Sequence, residues 1–148
     1  MCYEEIDYKD KEDMKTKLIG KRIIEWSQDY LKLDDGTIIT IEMTEFDCCA
    51  RACGAFKDVK LEAVITDIRF NKAVLNSYGE DGYETYTTQE VVFVHNQNKI
   101  AQANLCADNG NGDFYYSVVA FKIKGVYYAP LGSSDGESDY EAGRQENL

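Results

Sequence analysis

Histidine, tryptophan and proline each occur once in this chain, and basic side chains are outnumbered by acidic ones, 16 against 27. Each shortage excludes something. With His95 as the only imidazole, a cysteine nucleophile has a single possible histidine base, and no stretch of the chain marks an oxyanion donor beside it. A formal charge of −11 repels a phosphate backbone, which argues against direct nucleic-acid binding. There is no apolar run of membrane-spanning length and no basic-then-apolar leader, so the expectation is a soluble, cytoplasmic protein without a membrane partner. An odd number of cysteines, five, in a chain without a secretion signal favours reduced thiols over a disulfide framework.

What is abundant points to strands. The chain holds 11 tyrosines among runs of Val, Ile and Thr, and 148 residues suit one domain whose core needs no staples. The expected fold is mainly β: an antiparallel two-layer sandwich or partly closed barrel, with one short helix at a cysteine-rich turn. Charge divides the chain. Residues 1–16 carry six acids and three bases, residues 17–130 sixteen and twelve, and residues 131–148 five and one. The expected organisation is therefore a charged lead-in (1–16), either a frayed solvent-exposed helix or a mobile segment, a β-rich domain (17–130) and an acidic tail with little to bury, expected to be disordered (131–148). Acids concentrated at the ends argue against a nucleic-acid mimic, although Asp34, Asp35, Glu42, Glu45 and Asp47 form a local acidic group.

The most distinctive stretch is Glu45 to Phe70, EFDCCARACGAFKDVKLEAVITDIRF, with three of the cysteines. Asp47 is suited to cap a short helix and Gly54 to end it in a left-handed turn. Before it, Ile23 or Ile24 with Trp26, then Leu31 and Leu33, then Ile38, Ile39 and Ile41 read as a meander, its second turn at Asp35-Gly36. After it, Val59, Leu61, Ala63, Ile65 and Ile68 read as an interior strand. A turn is expected at Gly79 to Gly82, and a hairpin about Gln97-Asn98 that sets Val94 opposite Ala101 and Val92 opposite Ala103. A loop follows at Asp108 to Asp113, then one long strand ending at Pro130. Trp26 and Ile65 are expected in the core.

Candidate sites are few. Cys48, Cys49, Cys53, His95 and Cys106 are the residue types of a tetrahedral zinc site, but adjacent cysteines on a helical turn diverge by about 100° and no second Cys-x-x-Cys exists. Small buried hydrophobes are the commoner fate of free cysteine. The Asp108 to Asp113 loop has carboxylates for calcium and glycines for phosphate, yet Gly110 and Gly112 occupy ligand positions and no lysine or helix follows, so a plain hairpin loop fits better. Tyr78, Tyr83, Tyr86, Tyr115, Tyr116, Tyr127 and Tyr128 fit either an aromatic recognition surface or ordinary strand composition. The binding candidates are Tyr83, Tyr86, Tyr115, Tyr116, Asp108 and Asp113. No catalytic residue and no cofactor is indicated.

L-I-G-K-R-I at Leu18 to Ile23, D-G-T at Asp35 to Thr37, E-F-D-C-C-A at Glu45 to Ala50 and A-V-I-T-D-I at Ala63 to Ile68 together resemble a family of small uncharacterised phage and prophage proteins, over roughly residues 17 to 128. The resemblance transfers no chemistry. It implies a phage accessory protein in an infected bacterial cytoplasm that binds and modulates or inhibits a host or phage protein, including a defence component. The alternative it leaves open is capture of a small signal molecule such as a nucleotide, or of a metal, at the cysteine turn and glycine loop.

Overall fold

The structure, a computed structural model, describes residues 6–46, 50–77, 85–110 and 116–133. Among these are one helix, α1 (Lys11–Leu18), and ten strands: β1 (Ile23–Trp26), β2 (Tyr30–Leu33), β3 (Ile38–Phe46), β4 (Ala52–Lys57), β5 (Asp67–Phe70), β6 (Val74–Ser77), β7 (Thr85–His95), β8 (Asn98–Asp108), β9 (Ser117–Ile123) and β10 (Val126–Gly132). The first sheet runs β1-β2-β3-β9-β10; the second runs β4-β8-β7-β5, with β6 also paired to β7. Every pairing is antiparallel. The expectation of a mainly β, two-layer fold is borne out, without closure into a barrel.

The layers meet through three buried phenylalanines. Phe56 of β4, Phe93 of β7 and Phe121 of β9 have ring centroids 6.3 to 6.4 Å apart, within the range where tilted and edge-on aromatic pairs attract. Around them lie Leu31, Ile39, Ile65, Ile68 and Ile123, all fully buried. Ile65 thus takes the core position expected of it. Trp26 does not: it sits at the end of the edge strand β1 and keeps 37% of its surface exposed. Trp26→Ala is accordingly expected to cost less than about 2 kcal/mol in urea unfolding, below the 3–5 typical of a buried aromatic.

The meander β1-β2-β3 is present as expected, and Gly36 adopts φ 89° in the β2–β3 turn. Asp35 does more than shape that turn. Its carboxylate accepts from the Thr37 amide at 3.0 Å and pairs with Lys21 at 2.7 Å and with Lys124 of the β9–β10 turn at 3.8 Å. Lys21 and then Thr37 hold its carboxyl well below the usual carboxylate range. A depressed carboxyl stabilises the fold above its unfolded value, near 4, and that stability is lost as the pH falls through the lower folded value. Asp35→Asn is expected to destabilise fully at pH 7, with the gap to wild type closing below about pH 4 in denaturation series across pH.

Several expectations are corrected. Cys53 and Gly54, expected to end a helix at the cysteine turn, are inside β4, and Asp47, Cys48 and Cys49 lie outside the described residues. The one helix instead overlaps the charged lead-in, where Asp10 caps it by accepting from the Asp13 amide and Met14 and Leu18 enter the core. Of the supposed interior strand, only Asp67–Phe70 forms a named strand, at the edge of the second sheet; Val64 makes an isolated bridge to Arg22, and Leu61 is 48% exposed. The β7–β8 turn is Asn96-Gln97, with Asn96 at φ 57°. Val91 faces Ala103 and Phe93 faces Ala101, all four inward, because a bulge between Phe93 and Val94 shifts the register by one residue just beyond the turn and turns Val91 and Phe93, instead of Val92 and Val94, toward the alanines.

The last expected strand is two, folded at Lys124-Gly125, where both residues have positive φ (51° and 78°), the geometry a tight hairpin requires. Pro130 does not close the domain. It falls at the irregularity of the edge strand β10, where a missing N–H costs no ladder bond, and Leu131 beyond it is fully buried. The Gly79 to Gly82 turn and residues 134–148 lie outside the described residues.

Candidate functional site

Alternation along β4, β8 and β7 sends Ala52, Phe56, Leu105, Ala107 and Thr87 inward and leaves a polar set outward. In register across the outer face stand Cys53, Cys106, Thr88 and Val74; in the next row stand Ala55, Asn104 and Glu90. A groove of about 630 Å³ follows these rows to the break at Asn71 and Lys72, where β5 gives way to β6. Gln89, which borders the groove but pairs with the inward-facing Leu105, is 6% exposed; its amide nitrogen donates to the Asn71 carbonyl at 2.8 Å, while its Oε1 is buried without a partner.

The sequence candidates scatter over this frame. Cys53 and Cys106 are brought directly opposite one another, Cys53 exposed and Cys106 half-buried. Burial first, then the neighbouring Cys53 and Asp108, pushes the Cys106 thiol above its ordinary value, the reverse of what an activated nucleophile needs. His95 sits at the β7–β8 turn, roughly 20 Å along the strand from the cysteines, with Nδ1 2.8 Å from the Val64 carbonyl. The metal set is therefore divided, and no group of three or more His, Cys, Asp or Glu among the described residues is placed to hold an ion.

Asp108 accepts from the Arg51 amide at 2.8 Å and the Gly110 amide at 3.0 Å, so its carboxylate secures the start of the loop. Tyr86 is its register partner on the outer face of the second sheet, whereas Tyr116 lies on the outer face of the first. The expected single aromatic surface is thus split between opposite layers. Tyr83, Tyr115, Asp113, Cys48 and Cys49 lie outside the described residues.

The first sheet carries a tyrosine surface that the sequence did not assemble. Tyr127, Lys122, Thr40 and Tyr30 stand in one register row across four strands. The Lys122 ammonium lies 5.5 Å from the Tyr127 ring centre, Tyr30 donates to Glu25, and Thr40 donates to Glu42 at 2.9 Å. At the far end Glu45 is gripped from two sides: the Tyr8 hydroxyl donates to one oxygen at 2.6 Å and the Tyr116 hydroxyl to the other at 3.3 Å. Burial and the Glu45 carboxylate push the Tyr8 hydroxyl up to about 12, so it remains a donor at neutral pH. Glu42 and Glu45 of the acidic group belong here; Asp35 is engaged by lysines. Tyr30 and Tyr8 each stand alone in a charged stretch of sequence, and only the folded chain reveals their company.

No helix among the described residues is long and apolar enough to cross a membrane. No curated protein and no solved structure matches the chain. A family model does, over residues 16–121, from the last turn of α1 into β9. With most of both sheets inside that match, the chain belongs to the family described as a domain of unknown function, DUF7448.

Proposed function

We propose that this is a non-catalytic binding protein that engages and modulates another protein through the outer face of the first sheet. The observation that carries the reading is the row Tyr127, Lys122, Thr40, Tyr30, continued by Tyr116 over Glu45. Tyrosine gives large contact area with two side-chain torsions to order and a hydroxyl for the polar rim, which is why it is enriched where proteins meet. The same face offers Glu25, Glu42 and Glu45 against Lys32 and Lys122, an acidic excess suited to a basic partner patch. Activity in the cytoplasm of a phage-infected bacterium, against a host or phage protein, is the setting that the family resemblance supports.

Capture from a bacterial lysate tests this when wild type, Tyr30→Ala, Tyr116→Ala and the opposite-face variant Thr88→Ala are compared. Each tyrosine variant is expected to weaken retention of the captured protein about tenfold or more, with Thr88→Ala unchanged. Equal retention by all four would remove this face from the binding surface. The groove along Cys53, Thr88 and Asn104 favours a second reading, a small polar ligand; native mass measurement showing a retained small mass would support it instead.

A further inference from the structure

The proposed binding face leaves the thiols of the second sheet unused. Cys53 and Cys106 are direct register partners, so their side chains leave the same face of β4 and β8. The Asp108 amide donates to the Arg51 carbonyl opposite it at 2.8 Å, two residues along the ladder. The cysteines therefore occupy another hydrogen-bonded position, where opposed Cα atoms are about 5.5 Å apart. A disulfide spans Cα separations of roughly 4.4–6.8 Å. Opposed Cβ atoms in a ladder lie about 4.5–5.5 Å apart against about 3.8 Å in a disulfide, so closure draws the strands together by about an ångström. β4 can yield, because it is the edge strand of its sheet. Strain of that kind makes a disulfide easier to reduce, the property of reversible bonds and not of structural staples.

We propose that Cys53 and Cys106 form a reversible dithiol–disulfide couple, driven by exchange with a small disulfide such as oxidised glutathione. This rests on the strand register alone and is independent of the proposed binding face. Cys53, the exposed thiol, attacks as thiolate on one sulfur of oxidised glutathione; the glutathione S–S bond breaks, one glutathione thiolate leaves, and a mixed disulfide forms on Cys53. The Cys106 thiolate then attacks the Cys53 sulfur, the mixed bond breaks, and a second glutathione thiolate leaves. The two cysteines lose two electrons, which reduce glutathione disulfide to two thiolates, and the two cysteine protons pass to those thiolates. Cys106 is half-buried and is the slower nucleophile of the two, and the second step proceeds because its target is already held beside it.

Full-length protein equilibrated with mixtures of oxidised and reduced glutathione, quenched in acid, alkylated and mapped by peptide mass tests the couple. The expected result is a Cys53–Cys106 linked peptide that forms as the mixture becomes more oxidising and is lost when it is made reducing. Cys106→Ser is expected to stop at one glutathione on Cys53, and Cys53→Ser to slow the reaction of Cys106 more than tenfold. Cys53 and Cys106 both remaining alkylated in oxidising mixtures, or Cys53 linked to Cys48 or Cys49, would overturn the proposal. So would Cys106→Ser behaving as wild type. If a serine variant fails to fold, the wild-type map decides by itself.

Discussion

Phe121→Ala is expected to lower the unfolding free energy by about 3–5 kcal/mol, the largest loss from any single truncation considered for this fold. Its ring is fully buried between Phe56 at 6.3 Å and Phe93 at 6.4 Å, and those partners belong to the opposite sheet. Truncation therefore removes transferred apolar surface and opens a cavity at the seam of the two layers, where neither sheet can collapse without breaking its own ladder. Urea unfolding followed by tyrosine fluorescence measures it. A loss under about 1.5 kcal/mol would show that the layers are not joined at this point, and a loss equal to that of Trp26→Ala would remove the distinction between seam and edge.

Gly54→Ala is the second, and it acts by crowding. A methyl group at position 54 would stand 2.7 Å from the Leu105 side chain, 2.9 Å from the Asn104 carbonyl oxygen and 2.9 Å from Ile41 on the facing sheet. Leu105 has rotamers to escape into, but the Asn104 oxygen is backbone in a central strand and cannot give way cheaply. The expected cost is about 1–3 kcal/mol, with β4 displaced from β8. Position 54 adjoins Cys53, so the same variant is expected to slow closure of the Cys53–Cys106 bond, a readout that global stability alone does not provide. Unchanged stability in chemical denaturation would mean that β4 does not approach β8 this closely.

The sequence made the fold class legible because its signals were local. Asp35-Gly36 between two apolar runs marked a hairpin, and β-branched runs marked strands, whatever surrounded them. Errors arose where a decision depended on partners. The β7–β8 turn falls one residue earlier than expected because Gln97-Asn98 and Asn96-Gln97 are equally plausible in composition; the bulge between Phe93 and Val94, which no local signal marks, then shifts the register so that Phe93 and Val91 are buried against the other sheet. The charged lead-in leaves a frayed, solvent-exposed helix as one of two readings; the helix is there but packed, because Met14 and Leu18, four apart, carry an apolar face that only the sandwich can cover. Lys124-Gly125 gives a weak turn signal, since lysine is not a usual residue for positive φ.

The candidate surfaces were less legible than the fold. A single row of side chains such as Tyr127, Lys122, Thr40 and Tyr30 draws on four strands from both ends of the domain, and no spacing within one segment encodes it. The opposed cysteines are 53 residues apart in the chain, and register alone unites them. His95 and Cys106 show the reverse: close in sequence, they occupy opposite ends of a hairpin.

The central claim is that the two outer faces have separate roles, with partner binding confined to the first sheet. Site-specific photocrosslinking tests it most directly, with a photoreactive phenylalanine placed in turn at Tyr30, Tyr116 and Thr88 and the protein irradiated in bacterial lysate. The account predicts one common crosslinked protein from positions 30 and 116 and none from position 88. Crosslinking of that protein at Thr88 with nothing at Tyr30 or Tyr116 would contradict it and place the partner over the thiol groove.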